Sequence, residues 1–169
     1  MVIALSNHTI NRILFFDKYT KNIYRGQIVA RENPEIKKIV ASLPIPSIVL
    51  YNTDTKEGYG LHWLVVIYLK NKTIFYDPLG YTPVLHALPF VASRKRVPVL
   101  MNTHNTQLLK NSSYCGHFVI VYTLLLARGK TLFQINNLFT KNTALNEIIA
   151  GDLIKWLEKI MKKSIKTSK

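Results

Sequence analysis

Hydrophobic positions along the chain fall into a few segments of clear period. From residue 6 to 22 (SNHTINRILFFDKYTKN), Ile10, Ile13, Leu14 and Phe15, with Lys18 and Tyr19, follow helical spacing. Ser6 or Asn7 offers a capping side chain at its start. Glu35 to Leu43 predicts a short amphipathic helix opening after Pro34 and ended by Pro44 and Pro46. The period then changes to that of strands. Ser47 to Tyr51 (SIVLY), His62 to Leu69 (HWLVVIYL) and Thr73 to Tyr76 (TIFY) predict three strands. The second and third form a hairpin through a turn at Lys70, Asn71 and Lys72. Val97 to Met101 predicts one more strand, which Pro98 assigns to an edge.

Beyond Ser112 to Tyr114 the chain reads Cys115, Gly116, then HFVIVYTLLLA, apolar on every side. That is the pattern of a helix enclosed by protein. Its β-branched content also allows a strand, but its length and the stop at Ala127, Arg128 and Gly129 favour a helix. Helices are predicted over Thr131 to Phe139 and Leu145 to about Lys163. In the last, Ile148, Ile149, Leu153, Trp156, Leu157 and Ile160 form an apolar stripe. Its other face and the tail carry Lys155, Lys159, Lys162, Lys163, Lys166 and Lys169. Helices, a strand cluster, then helices make an α+β domain with a central mixed sheet and flanking N- and C-terminal helices.

Composition narrows the picture. The 169 residues suit one domain, and 48% apolar residues spread along the whole length exclude a disordered chain. No fixed-period repeat or Pro/Gly-rich linker divides residues 1–169. The N-terminus lacks the pattern of a signal peptide. The most apolar stretch, Phe118 to Ala127, is far shorter than the roughly 20 residues of a membrane helix. These features lead us to expect a soluble, intracellular protein. One cysteine excludes an internal disulfide framework, and no Cys/His cluster has metal-ligand spacing, so no metal or small-molecule cofactor is expected. Charge is the second large signal. Twenty-three Lys and Arg stand against nine Asp and Glu, a net +14. Such an excess predicts a polyanionic partner, most often nucleic acid, against the plainer reading of a solvated basic surface.

Candidate chemistry centres on Cys115. A cysteine nucleophile needs its thiolate, which a helix N-terminus and a neighbouring imidazolium both favour. Cys115 stands before the apolar helix, and Gly116 leaves room for a substrate backbone. On its own, a cysteine there reads more often as a buried structural residue. Gly60, Leu61, His62 and Trp63 stand at the head of the strongest strand, so His62 is a candidate general base on a rigid element. Trp63, on the opposite side of that strand, can pack the core or wall a cleft. Asp77, at the end of the third strand, would orient and charge-stabilise the imidazole, and Asp54 is the nearest competing acid. The run Asp77 to Gly80 is also a plain β-turn. Gln107 can donate to a tetrahedral oxyanion beside the Cys115 backbone N–H, as can Asn105 or Asn111.

The order His62, Asp77, Gln107, Cys115, the reverse of the papain type, resembles adenovirus-type maturation cysteine proteases. These belong to the clan that includes SUMO- and NEDD8-deconjugating peptidases, and the likeness is closest to the viral, virophage and Polinton branch. The motifs that carry it are YNTDTKEGYGLHW, IFYDPLGY and QLLKNSSYCGHFVIVYTLLLARG, with a looser match in YRGQIVA. The resemblance implies a single cysteine peptidase domain with His62 as base, Asp77 as its partner, Cys115 as nucleophile and Gln107 as oxyanion donor. Gly60, Trp63 and Gly116 would then line the substrate cleft. The interval from His62 to Asp77 is shorter than the family usually shows, and that from Gln107 to Cys115 slightly longer.

By the same resemblance the substrates would be capsid and core precursor proteins cleaved beside small residues, in the virion or at the intracellular site of virus assembly. DNA would act as activator, contacted by Arg94, Lys95, Arg96, Lys163, Lys166 and Lys169, and the enzyme would be a monomer with no membrane partner. A peptide cofactor tethered by a disulfide is excluded, since the link would consume Cys115. Three rival readings stay open: a deconjugating peptidase for SUMO-like modifiers, an acyltransferase, and a non-enzymatic basic DNA-packaging protein.

Overall fold

A computed structural model describes residues 4–29, 35–53, 62–86, 88, 97–108 and 112–167. Its elements, in chain order, begin with α1 (Asn7–Phe16), β1 (Tyr24–Val29), α2 (Ile36–Ser42), β2 (Ser47–Asn52), β3 (Trp63–Tyr68) and β4 (Thr73–Tyr76). A 3₁₀ turn (Pro83–His86) follows, then β5 (Val99–Met101), α3 (Cys115–Ala127), α4 (Leu132–Asn136) and α5 (Thr143–Thr167).

The strands form one mixed α+β sheet in the order β1-β2-β3-β4-β5. The two central pairings are antiparallel and the two outer ones parallel. All residues of β2, β3 and β4 are buried, which explains why those strands read as continuous apolar runs rather than alternating ones. Alternate residues serve two cores. Trp63, Val65 and Ile67 of β3 join Ile10, Ile13 and Leu14 of α1, Phe118 and Tyr122 of α3, and Ile154 of α5. Leu64, Val66 and Tyr68 face the other way, onto Ile36 and Val40 of α2 and onto Leu88. The result is three layers, with α3 enclosed between the sheet and the terminal helices. Enclosure is why α3 has no polar face.

Four elements depart from the sequence reading. The helix expected over 6–22 is capped by Ser6 as predicted, its Oγ accepting from the N–H of Thr9 at 3.2 Å. It stops at Phe16 because Asp17 Oδ1 accepts the backbone N–H groups of Tyr19 at 3.0 Å and Thr20 at 3.2 Å, which turns the chain. Strand β1 was not predicted. Arg25 and Gln27 break its apolar run, Gly26 sits at φ +90°, and the register with β2 shifts between Tyr24 and Gln27. The final helix is longer than expected at both ends, and α4 is shorter. Strand β5 lies at the sheet edge, as Pro98 implied, and the Pro98 carbonyl accepts from Thr73 N–H at 2.9 Å.

Candidate active site

The β3–β4 hairpin pairs Val65 with Tyr76, which brings the residue before β3 and the residue after β4 to the same end of the sheet. These are His62 and Asp77. His62 is held by the continuation of the β2–β3 ladder, its carbonyl accepting from Thr53 N–H at 3.0 Å. Asp77 is clamped through its backbone by Asn102, the residue after β5. Asp77 N–H donates to Asn102 Oδ1 at 3.0 Å, and Asn102 Nδ2 donates to the Asp77 carbonyl at 2.6 Å. A side-chain amide thus continues the β4–β5 pairing by one more residue.

The Asp77 side chain is fully buried and accepts on both oxygens. Oδ1 takes His62 Nε2 at 2.6 Å and Leu79 N–H at 2.8 Å, and Oδ2 takes His86 Nε2 at 2.5 Å. Burial alone would raise the Asp77 pKa, but the hydrogen bonds from His62 and His86 outweigh it and hold it down at about 2. His62 is likewise buried, which favours the neutral ring. Its bonds to Asp77 and to Cys115 overcome that and raise its pKa to about 9. With Nε2 occupied by Asp77, Nδ1 is the ring atom left for the Cys115 sulfur. Cys115 is the first residue of α3 and is buried. Carboxylate and imidazole are therefore hydrogen-bonded, and the Cys115 thiol acts on the same ring from the N-terminus of α3.

Gln107 lies in the segment that joins these elements, anchored on both sides. The Pro78 carbonyl accepts from Thr106 N–H at 2.8 Å and Gln107 N–H at 3.3 Å, and Tyr76 and Thr106 hydroxyls meet at 2.6 Å. From α5, Asn146 Nδ2 donates to the Thr106 carbonyl at 3.2 Å. Glu147 Oε1 accepts from Leu108 N–H at 3.0 Å and Ser112 Oγ–H at 2.5 Å. Gln107 is itself buried, its Nε2 donating to the Ser112 carbonyl at 3.4 Å and its Oε1 finding no partner among the described residues. Asn105 donates its amide to the Gln107 carbonyl.

Two expected cleft residues do other work. Trp63 is only 4% exposed and packs the core beneath α3. Gly116 faces α1: a Cβ there would stand 3.2 Å from Ile10 Cδ1 and 3.4 Å from Leu5 Cβ. Its small size allows the close approach of α1 and α3. Lys163 lies with Lys155, Lys159 and Lys162 along an open groove on α5, and Lys166 belongs to the same helix. Gly60, Asp54, Arg94, Lys95, Arg96, Asn111 and Lys169 lie outside the described residues.

Sequence reasoning missed His86, Asn102 and Glu147. No motif marks them, and each reaches the site from an element remote in sequence. His62, Asp77 and His86 offer ligand atoms within 4.8 Å of one another, a set chemically able to bind a metal. Both ring nitrogens here sit at hydrogen-bond distance from the carboxylate, 2.6 and 2.5 Å. Two ligands on one zinc would stand about 3.3 Å apart, as its bond lengths and tetrahedral angle require. The geometry is that of a buried hydrogen-bond network.

Comparison with known proteins gives the fold a counterpart. No family model matches the chain, and no curated protein does. Among solved structures, ChlaDub1 from Chlamydia trachomatis aligns over 94% of this chain and 91% of its own, with TM-score 0.58 and 15% identity. A second match, to the ASFV pS273R protease, covers 61% of this chain and 43% of that one, with TM-score 0.41 and 14% identity. The chain shares its fold with the first.

Proposed function

We propose that the chain is a cysteine peptidase working through a Cys115–His62–Asp77 triad. The observation that carries this reading is the buried series Asp77, His62 and Cys115 at the start of α3, the first two hydrogen-bonded at 2.6 Å and the thiol acting on the same imidazole. Only such a series supplies a nucleophile, a base and an orienting anion in contact.

His62 takes the Cys115 proton, or already holds it as imidazolium beside the thiolate, and the thiolate attacks the scissile carbonyl, forming a carbon–sulfur bond. The oxyanion accepts a hydrogen bond from the Cys115 backbone N–H, with the Gln107 amide as the second donor. Collapse breaks the carbon–nitrogen bond as His62 imidazolium protonates the leaving amine. Water then gives a proton to His62 and adds to the thioester, and the thiol leaves with that proton.

The finer reading is a maturation protease acting on viral capsid and core precursors, stimulated by DNA at the site of virion assembly. Its supports are the resemblance of the GLHW, YDPLGY and YCGHF motifs and the net charge of +14. The test is cleavage of a capsid precursor, of a fluorogenic peptide with glycine beside the scissile bond and of a SUMO-like modifier conjugate, each with and without DNA. Precursor cleavage lost in Cys115→Ser and His62→Ala is expected. Cleavage of the modifier alone would reassign the substrate, and no Cys115-dependent cleavage of any of them would end the peptidase reading. Stimulation indifferent to salt would remove DNA, because phosphate contacts impose a steep salt dependence.

A further inference from the structure

His86 is outside the triad yet touches it as closely as any member does. Its Nε2 lies 2.5 Å from Asp77 Oδ2, its side chain is 11% exposed, and its ring stacks on His62 with centroids 5.7 Å apart and planes at 28°. The Tyr81 ring lies 6.0 Å from it, tilted by 48°. The chain makes a deliberate excursion to put it there. From Asp77 it turns through Gly80, whose N–H donates to the Asp77 carbonyl at 2.9 Å and whose φ is +74°. It then runs into the 3₁₀ turn that ends on His86, and Leu88, buried against β3 and α2, anchors the return.

A carboxylate bound through Oδ1 alone can pivot about its Cβ–Cγ bond, and in a buried site its other oxygen would be left without a donor. A second donor on Oδ2 removes both problems. The neighbouring His86 ring, with planes 28° apart, also limits the room for His62 to rotate.

We propose that His86 is a positioning residue: by binding Oδ2 of Asp77 and stacking on His62, it holds the His62 ring with Nε2 on Asp77 and Nδ1 on Cys115. The site is then a four-residue His–Asp–His–Cys network. This rests on the cysteine peptidase reading, so its test begins with a readout that needs no substrate.

The experiment measures the alkylation rate of Cys115 by iodoacetamide, kcat and KM on a cleavable peptide, the thermal midpoint, and the far-downfield proton NMR signal of the His62–Asp77 hydrogen bond. It compares the unaltered protein with His62→Ala, His86→Leu and His86→Gln. Expected for His86→Leu is a loss of about tenfold or more in alkylation rate and kcat, as for a lost bond to a charged group. KM should be unchanged and the downfield signal broadened or lost. His86→Gln keeps a donor and should recover most of the rate and the signal. The proposal is overturned if His86→Leu matches the unaltered protein, or if both variants lose activity in step with thermal midpoint while the signal stays. If Cys115 reacts like an ordinary thiol and ignores His62→Ala, the peptidase reading falls and takes this proposal with it. Dependence on His62 without dependence on His86 sinks the proposal alone.

Discussion

Asn102 binds Asp77 through both of its main-chain groups, accepting the N–H at 3.0 Å and donating to the carbonyl at 2.6 Å. Both residues are almost wholly buried, so neither bond has water as an alternative partner. The consequence is that the carboxylate facing His62 is held by a side chain just beyond the end of another strand, β5. Asn102→Ala should therefore lower stability by about 2–3 kcal/mol, from two lost buried bonds and the unpaired groups they leave. Asn102→Asp, which cannot donate to the carbonyl, should lose nearly as much. Denaturant melts check the first effect, and the Cys115 alkylation rate checks its transmission to the site.

Activity should have an alkaline limb set by His62. Its pKa is raised to about 9, so the imidazolium persists through neutral pH and is lost as pH rises through about 9. Asp77→Asn removes the charge that opposes burial, so the limb should move to lower pH. A pH profile of kcat/KM for the two proteins measures this, and an unmoved limb would exclude Asp77 as the cause.

Stability should vary with pH in three separate windows. Buried His117, pushed down to about 4 by burial and then by Lys155, stays neutral where an unfolded chain would protonate it at its ordinary value of 6.5. Stability should therefore fall as pH drops from 6.5 toward 4, and His117→Phe should flatten that part of the curve. Raised His62 acts in the opposite sense: its contribution is complete below 6.5 and is lost as pH rises through about 9. Asp77, held at about 2 against an ordinary 3.8, contributes above 3.8 and ceases to as pH falls through about 2. Thermal midpoints across pH, for the unaltered protein and each variant, resolve the three.

Gly80 should tolerate no side chain. A Cβ there would lie 2.9 Å from the His104 carbonyl carbon, and its φ of +74° is strained for any other residue. Gly80→Ala should cost about 1–3 kcal/mol, the usual range for such strain. It should also displace the turn that delivers His86, so alkylation of Cys115 should slow. A Gly80→Ala protein with unchanged melt and alkylation rate would refute this account of the turn.

Much of the fold is legible in the sequence because burial leaves a periodic trace. Residues 47–51, 62–69 and 73–76 read as strands since both faces of the central sheet are covered, and residues 115–127 as a buried helix since no side of it meets water. Cys115, His62 and Asp77 are legible because each stands at the boundary of such an element. Strand β1 is hidden because its place comes from a bulged parallel pairing with β2, and Gly26 with two polar neighbours leaves no alternation to read. That Trp63 packs in the core and that Gly116 lies close to α1 are not legible, because both depend on how α1 and α3 pack on the sheet.

The sequence by itself determined the elements, the excess of positive charge and the three residue types that can do thiol chemistry, because each is a local property of a short stretch. Tertiary structure alone decided that His62 and Asp77 meet across one hairpin end and that Cys115 reaches the same imidazole. It also decided that His86, Asn102 and Glu147 support the site from a turn, an edge strand and the last helix. Those contacts join residues far apart in the chain, and nothing local in a sequence encodes a distance between two elements until their cores have packed.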